Sequence, residues 1–419
     1  MSLRFHWFLP TNGDGRDIVG GGHGVATGTA GTIRPATLSY LGQVARSAEQ
    51  LGFEAALTPT GAWCEDAWLV TAMLTEVTER LKFLVAFRPG LISPTLSAQM
   101  AATFQRHSRG RLLLNVVTGG ESAEQRAYGD FLDKAQRYER CAEFLDVVSR
   151  LWSGETVTQH GEHLRVEGAR LATLPDPVPD LYFGGSSGPA GPVAARYTDV
   201  YLTWGEAPAA VDSKLRWMDG LAREAGRTLR YGIRLHVISR DTSEEAWRQA
   251  DRLIDGVDEA MVRKVQENLA RSESEGLRRM RELHGGSRDN LEVSPNLWAG
   301  VGLVRGGAGT ALVGSHTEIA DRLEEYARLG LTEFILSGYP HLEEAYWFGE
   351  GVLPILQARG LWTHPAPGRP DSARNAAGFA PTSGPAPSAA PADRLTASSE
   401  VLAARLGPTG YTGPTGSYS

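Results

Sequence analysis

The sequence predicts a closed (β/α)8 barrel, and three observations carry that reading. Eight short apolar runs recur along the chain, most of them are continuous instead of alternating, and amphipathic stretches of helical period stand between them. Continuous apolar runs suit parallel strands covered on both faces, and eight of them with intervening helices fit a barrel better than an open sheet. The runs are Phe5–Leu9, Ala55–Thr58, Phe83–Phe87, Leu112–Val117, Leu181–Phe183, Val200–Thr203, Ile233–Ile238 and Phe334–Ser337. Between the first two, Leu38, Leu41, Val44, Ala48 and Leu51 form a helical stripe with Gly52 at its C-cap. Before the last run, Thr317 caps a stripe of Ile319, Leu323, Tyr326 and Leu329, closed by Gly330. Two stretches depart from the alternation: the Gly-rich Gly13–Arg34, and Gly256–Gly314, where charged helical patterns lead into GVGLVRGGAGTALVG.

Composition bounds the rest. Of 419 residues, 42 are Lys or Arg and 49 are Asp or Glu, so the net charge is −7, which argues against nucleic acid or an anionic membrane as partner. A hydrophobic share of 42% is enough for a buried core. No apolar run approaches the roughly 20 residues that span a bilayer, and the opening MSLRFHWFLP lacks the pattern of a secretory leader, so a soluble, cytoplasmic protein is expected. Cys64 and Cys141 are too few for a disulfide framework or a cysteine-rich metal site, and no metal is expected. A barrel domain over 1–363 is expected to precede a disordered tail over 364–419, where Pro, Ala, Gly and Ser dominate. Within that tail, the apolar patch Leu395–Leu406 is long enough for a transient helix.

In such a barrel, chemistry sits at the C-terminal ends of the strands. The first run ends in PTNGDGR, which puts Asn12, Gly13 and Asp14 at the mouth in residues that also make turns. Cys64 follows the second run beside Glu65 and Asp66, which can cap the next helix; neighbouring carboxylates disfavour a thiolate, so a pocket-wall residue is expected before a nucleophile. Arg88 ends the third run and needs either a carboxylate or an anionic ligand. The fifth run ends in YFGGSS just before a helix near Pro189, so Ser186 and Ser187 make either a phosphate cradle or a plain glycine turn. Arg234 and His236, two residues apart, share one face of an apolar strand, which is costly unless they line a site or satisfy each other in the core. Tyr339 and His341 follow the last run, and Arg305 lies in the glycine-rich LVRGGAG, a segment able to move. Together these form a cationic site with a phenol and two imidazoles but no catalytic carboxylate pair. That set suits a small anionic substrate with a phosphate-bearing cofactor better than glycoside or metal-dependent hydrolysis.

The blocks FHWFLPTNGDGR, PTGAWCEDAWLV, RLKFLVAFRPG, NVVTGG, LYFGGSS, YLTWGE, YGIRLHVISR, SRDNLEVSPNLWAGVGLVRGGAGTALVG and LSGYPHLEEAY follow one another in order. Through them the chain resembles the FMNH2-dependent alkanesulfonate monooxygenases of the bacterial-luciferase-like group, from about residue 3 to about residue 360. The resemblance implies a luciferase-like TIM barrel with insertions, FMN used as FMNH2, and O2 as co-substrate. The implied reaction turns a small organosulfonate into an aldehyde and sulfite. It also implies an NAD(P)H-dependent FMN reductase as partner and a homo-oligomer, dimer or tetramer. Carried over by motif, Cys64, Arg234, His236, Arg305, Tyr339 and His341 match the active-site set, and Asn12 and Trp204 the substrate pocket. Ser187 with Ser186 matches the flavin-phosphate loop, and Thr118 and Tyr138 the flavin contacts. Arg234 and Arg305 would pair with sulfonate oxygens, Tyr339, His236 or His341 would move protons, and Glu267–Gly309 would form a water-excluding lid.

The chain departs from the family pattern at Asn12 and Lys134, where the family has His, and in the longer loop GGGHGVATGTAGTIRP, whose His23 would either replace the missing imidazole in space or stay solvated. These departures leave room for a sulfone or another organosulfur substrate. A deazaflavin-dependent oxidoreductase has no need of the two arginines, and a non-catalytic flavin-binding barrel could lose them.

Overall fold

The computed structural model describes residues 2–18 and 34–365. His23, the expected tail from residue 366 onward and its Leu395–Leu406 patch lie outside the described residues. Eight strands close a barrel: β1 Arg4–Phe8, β2 Ala55–Thr58, β3 Lys82–Phe87, β4 Leu112–Val116, β5 Leu181–Phe183, β6 Val200–Trp204, β7 Arg230–Arg240 and β8 Leu331–Ser337. Each is parallel to both neighbours, and the β8–β1 and β6–β7 pairings complete the ring. The eight apolar runs all form barrel strands, with boundaries shifted by up to a few residues.

Alternation decides what faces where. On β1, Phe5 and Trp7 pack outward beneath the helices, while Phe8 joins an inner cluster with Leu57, Leu84, Tyr182 and Ile335. On β7, Ile233, Leu235 and Val237 belong to the outer layer, which leaves Arg234 and His236 to the interior. The outer layer is where burial stabilises most: Phe5 and Trp7 are both 0% exposed. Full burial of each such side chain contributes on the order of 2–3 kcal/mol, and truncating Trp7 to Ala would cost about 3–5 kcal/mol.

Local chemistry sets the helix ends. Thr37 caps the helix Leu38–Leu51 by accepting from Tyr40 N, and Gly52, at φ 93°, takes the left-handed position that ends it. Asp66 caps Ala67–Leu74 through Leu69 N, as its place after Cys64 led one to expect. The expected cap at Thr317 is corrected: helix His316–Arg328 starts one residue earlier. Ser315 accepts from Glu318 N, and the Glu318 carboxylate accepts from Ser315 N, a reciprocal arrangement that Thr317 could not make from inside the helix.

Two features were not legible in the alternation. A hairpin, Val157–His160 with Arg165–Ala169, lies between β4 and β5. In the glycine-rich stretch, Ala311–Ser315 is a strand, parallel to the distal half of β7 and pairing Ala311 with His236 through Ser315 with Arg240. No helix among the described residues is long and apolar enough to cross a membrane.

Candidate active site

The register of β7 and β8 builds the upper interior of the barrel. Ile335 lies beside Arg234 and Ser337 beside His236, so a serine from one strand faces an arginine and an imidazole from the other. Arg234 Nη2 donates to Ser337 Oγ at 2.8 Å, and Ser337 Oγ lies 2.8 Å from His236 Nδ1. His236 Nε2 lies 3.1 Å from the Ala308 carbonyl, which can only accept. That partner places the ring proton on Nε2, so Nδ1 accepts from the Ser337 hydroxyl, whose oxygen in turn accepts from Arg234. Both nitrogens of His236 are thereby committed. Burial, and then the Arg234 and Arg305 charges, hold its pKa well below the usual imidazole range, so it is neutral.

Arg305 enters from the loop that follows the short helix Val301–Val304, and its guanidinium sits beside that of Arg234. Both stand over the face of Phe8, at 4.9 Å for Arg234 and 5.7 Å for Arg305. Each is only 6% exposed, and among the described residues neither forms an ion pair. Burial and the neighbouring Arg305 charge lower the Arg234 pKa to about 9. Two buried guanidinium groups side by side without a carboxylate are unfavourable unless an anion joins them.

Tyr339 stacks on His236 with ring centroids 5.6 Å apart and meets His341 edge-on at 5.2 Å. Burial raises the Tyr339 pKa against the pull of the two arginines, so the hydroxyl keeps its proton. Among the described residues, Tyr339 Oη and His341 Nε2 are buried without a hydrogen-bond partner. A donor and an acceptor site are thus unmatched beside two unpaired cations.

Adjoining Arg234 is an open cleft of about 210 Å³, lined by Thr118, Gly119, Gly120, Lys134, Tyr138, Gly184, Ser186, Ser187, Trp204 and the segment Glu273–Gly276. Among the described residues, Ser187 Oγ is buried there without a partner. The segment Ser272–Gly276 crosses the cleft under specific restraints. Glu273 accepts from Ser122 Oγ at 2.8 Å and from Arg137 Nη2 at 3.0 Å, its carbonyl accepts from Lys134 Nζ at 2.6 Å, and Ser272 Oγ donates to the Gly120 carbonyl. Gly276 lies so close to the Trp204 ring that a Cβ would stand 2.8 Å from it. Arg279 then ties the following helix, Glu275–His284, to buried Glu206, which also holds Lys214.

The structure therefore gathers the expected residues into two adjoining groups. Arg234, His236, Arg305, Tyr339 and His341 form the upper interior, while Thr118, Tyr138, Ser186, Ser187 and Trp204 line the cleft. Cys64 and Asn12 are not among the cleft-lining residues. The Cys64 thiol points at the carbonyls of Pro59 and Gly61, and burial pushes its pKa up to about 11, which makes it a neutral residue. Arg88 takes the carboxylate alternative: it pairs with Glu124 at 2.6 Å, and Glu124 also holds Ala62 N. Residue-level reading missed Ser337, although the alternation that singled out Arg234 and His236 also puts Ser337 on the inner face of β8. It also left Asp14 in a turn, where the structure makes it a buried hub. Lys134 stood out in the sequence only as a departure from the family pattern and Glu273 only as part of the expected lid; their contact had no signal, because it joins residues far apart in the chain.

The Luciferase-like monooxygenase family model matches residues 3–333. Solved structures sharing this barrel include a riboflavin lyase with modified FMN and riboflavin, at 20% identity over 88% of this chain and 94% of that one, TM-score 0.71. The EDTA monooxygenase from Chelativorans sp. BNC1 aligns at 18% identity over 87% and 96%, TM-score 0.66. A long-chain alkane monooxygenase aligns at 19% identity over 87% and 93%, TM-score 0.65. At such identities the likeness establishes the barrel and leaves the substrate open.

Proposed function

The chain belongs to the luciferase-like monooxygenase family, and from that premise we propose that it is a two-component flavin monooxygenase acting on small alkanesulfonates. The reaction would convert R–CH2–SO3⁻, O2 and FMNH2 into R–CHO, HSO3⁻, FMN and water, with a separate NAD(P)H-dependent reductase supplying FMNH2. The observation that carries the reading is the buried pair Arg234 and Arg305, unpaired among the described residues, next to the unmatched Tyr339 hydroxyl.

The cleft suits FMN on its donor set. Ser187 Oγ is an orphaned buried hydroxyl at a glycine-rich strand end, Ser186 stands beside it, and Lys134 brings a cation to the same cleft. These three would hold the phosphate, with Thr118 and Tyr138 against the rest of the cofactor. Reduced FMN would supply the two electrons that activate O2.

The chain's own groups have separable tasks. Arg234 and Arg305 bind and orient the sulfonate through planar, forked donors. His236 is excluded as proton carrier because both its nitrogens are engaged, so its task is to hold Ser337 and, through it, Arg234. Tyr339 keeps its proton at Oη, and its hydroxyl, unmatched among the described residues, is the donor left available in the upper interior. The Glu273–Gly276 segment lines the cleft, from where it would shield the reacting groups from water. The recognition chemistry is that of a tetrahedral or planar anion. The finding of EDTA, a polycarboxylate, and of alkanes among the substrates named for structural neighbours fixes the competitors to include.

The test supplies the purified chain with FMN, a flavin reductase, NADH and O2, and measures sulfite from a panel of alkanesulfonates, with sulfones and polycarboxylates as competitors. Sulfite and aldehyde in equal amounts are expected. FMNH2 binding without sulfite from any sulfonate would reject the assignment.

A further inference from the structure

His341 is held from one side only, and by a residue far away in the chain. Asp14 is fully buried, and four donors surround its carboxylate. Oδ1 accepts from Gly15 N and from His341 Nδ1, both at 2.9 Å, and Oδ2 accepts from His341 N at 2.8 Å and Tyr40 Oη at 2.5 Å. Main-chain bonds between Asp14 and Arg34 anchor it further. The Arg34 guanidinium is engaged by Glu343 at 2.5 and 2.8 Å, and among the described residues the Asp14 carboxylate pairs with the His341 ring. Burial works to raise the Asp14 pKa, but the hydrogen bonds from His341, Tyr40 and Gly15 help to keep it below the ordinary carboxylate range. An ionised carboxylate can only accept, so the proton on the His341 ring stands on Nδ1.

The ring has little freedom to turn. Trp7 Nε1 holds the His341 carbonyl at 3.0 Å, Phe8 packs at 5.6 Å and Tyr339 edge-on at 5.2 Å. With Nδ1 fixed on Asp14, Nε2 lies on the far edge of the ring, buried and unmatched among the described residues, with the Tyr339 ring 5.2 Å away between centroids.

We propose that Asp14 is a positioning residue that locks His341 in the Nδ1–H tautomer, so that Nε2 is a bare proton acceptor paired with the Tyr339 Oη–H donor at the substrate end of the site. The tautomer stands on the hydrogen-bond pattern alone; its consequence for turnover rests on the sulfonate reading above. Desulfonation removes a hydrogen from the carbon that bears sulfur, and His341 Nε2 would receive that proton and pass it to solvent as the product leaves, while Tyr339 is unchanged overall.

The first measurement is nitrogen NMR of the full-length protein carrying 15N-histidine, with the His341 resonances assigned by their loss in His341→Gln. Protonated Nδ1 and unprotonated Nε2 are expected in the free protein. In Asp14→Asn the side-chain amide can donate to Nδ1, so the proton should move to Nε2, and kcat on a sulfonate should fall about 10²-fold with KM little changed. Tyr40→Phe keeps the carboxylate, so it should retain the wild-type tautomer and most of the turnover; it serves as the second variant should Asp14→Asn not fold. Nε2 protonated in the wild type, or Asp14→Asn leaving the nitrogen pattern intact, overturns the proposal. If the tautomer is as stated but no sulfonate is turned over by the wild type, the substrate reading fails and the positioning of His341 stands.

Discussion

At the lower end of the barrel, Glu333 on β8 lies between His6 at 3.0 Å, Tyr182 Oη at 2.6 Å, Arg230 at 3.2 Å and Arg4 at 3.9 Å. Four residues further along the same two strands, Arg234 on β7 faces Ser337 on β8, and the second cation, Arg305, joins it with no carboxylate partner among the described residues. The two ends share strands, register and a polar interior, yet one surrounds a single anion with two hydrogen bonds, both to Oε2, and two arginines, while the other sets two cations side by side with no carboxylate among the described residues. A buried charge ringed by opposite charge holds a structure together, while buried like charges favour binding of an anion. In (β/α)8 barrels the second kind belongs at the C-terminal end, where loops can change without disturbing the closure of the sheet.

The lower network should dominate stability. Replacing Glu333 by Ala removes the buried partner of His6 and of the Tyr182 hydroxyl, while Arg230 keeps its pair with Asp180, and is expected to cost about 2–4 kcal/mol in urea denaturation, while the folded fraction keeps its turnover. The upper cations should behave the opposite way. Arg305→Ala or Arg234→Ala is expected to lower kcat/KM for a sulfonate roughly 10²–10³-fold, with the thermal midpoint unchanged or raised, since a buried like charge is removed. A midpoint that falls as far as in Glu333→Ala would erase the distinction between the two ends.

Acid should find the lower end first. Burial would raise the Glu333 pKa, but His6, Tyr182 and Arg230 bring it down to about 2, below its value in the unfolded chain. Its contribution is thus complete above the unfolded value of roughly 4.4 and is lost as pH falls from there toward 2. The acid limb of the stability curve should flatten in Glu333→Gln. Alkali should find the upper end. With its pKa near 9 in the free protein, Arg234 loses its proton as pH rises through that value, so sulfonate affinity should weaken above pH 9, up to about tenfold per pH unit. Binding measured by calorimetry at pH 8 and pH 10 checks this, and equal affinity at both would count against Arg234 as an anion ligand. Cys64 lies outside both networks and, with its thiol near 11, is neutral at working pH. Cys64→Ser should therefore change kcat by less than about twofold, measured in the sulfite assay.

Much of this was legible beforehand for a physical reason. Parallel strands buried on both faces must be apolar throughout, so each polar residue inside such a run marks itself, and Arg234 and His236 did so. His6 and Glu333 carry the same mark in RFHWF and LTEFILS, but a lone polar residue in a short run is weaker than a pair with period two. Thr317 shows a different limit: two hydroxyl residues flank the helix start, and only the geometry of Ser315 with Glu318 tells which one caps it.

Hydrophobic period and local capping act within a few residues, so the barrel, its eight strands and the face carrying Arg234 and His236 are written along the chain. Which charges meet a partner is not, because it depends on contacts across the closed sheet. Arg234 meets Ser337 across 103 residues and His341 meets Asp14 across 327, and nothing in either neighbourhood along the chain records the other. Pairing inside a closed sheet is settled by register between strands, which is a property of the ring and not of any one strand.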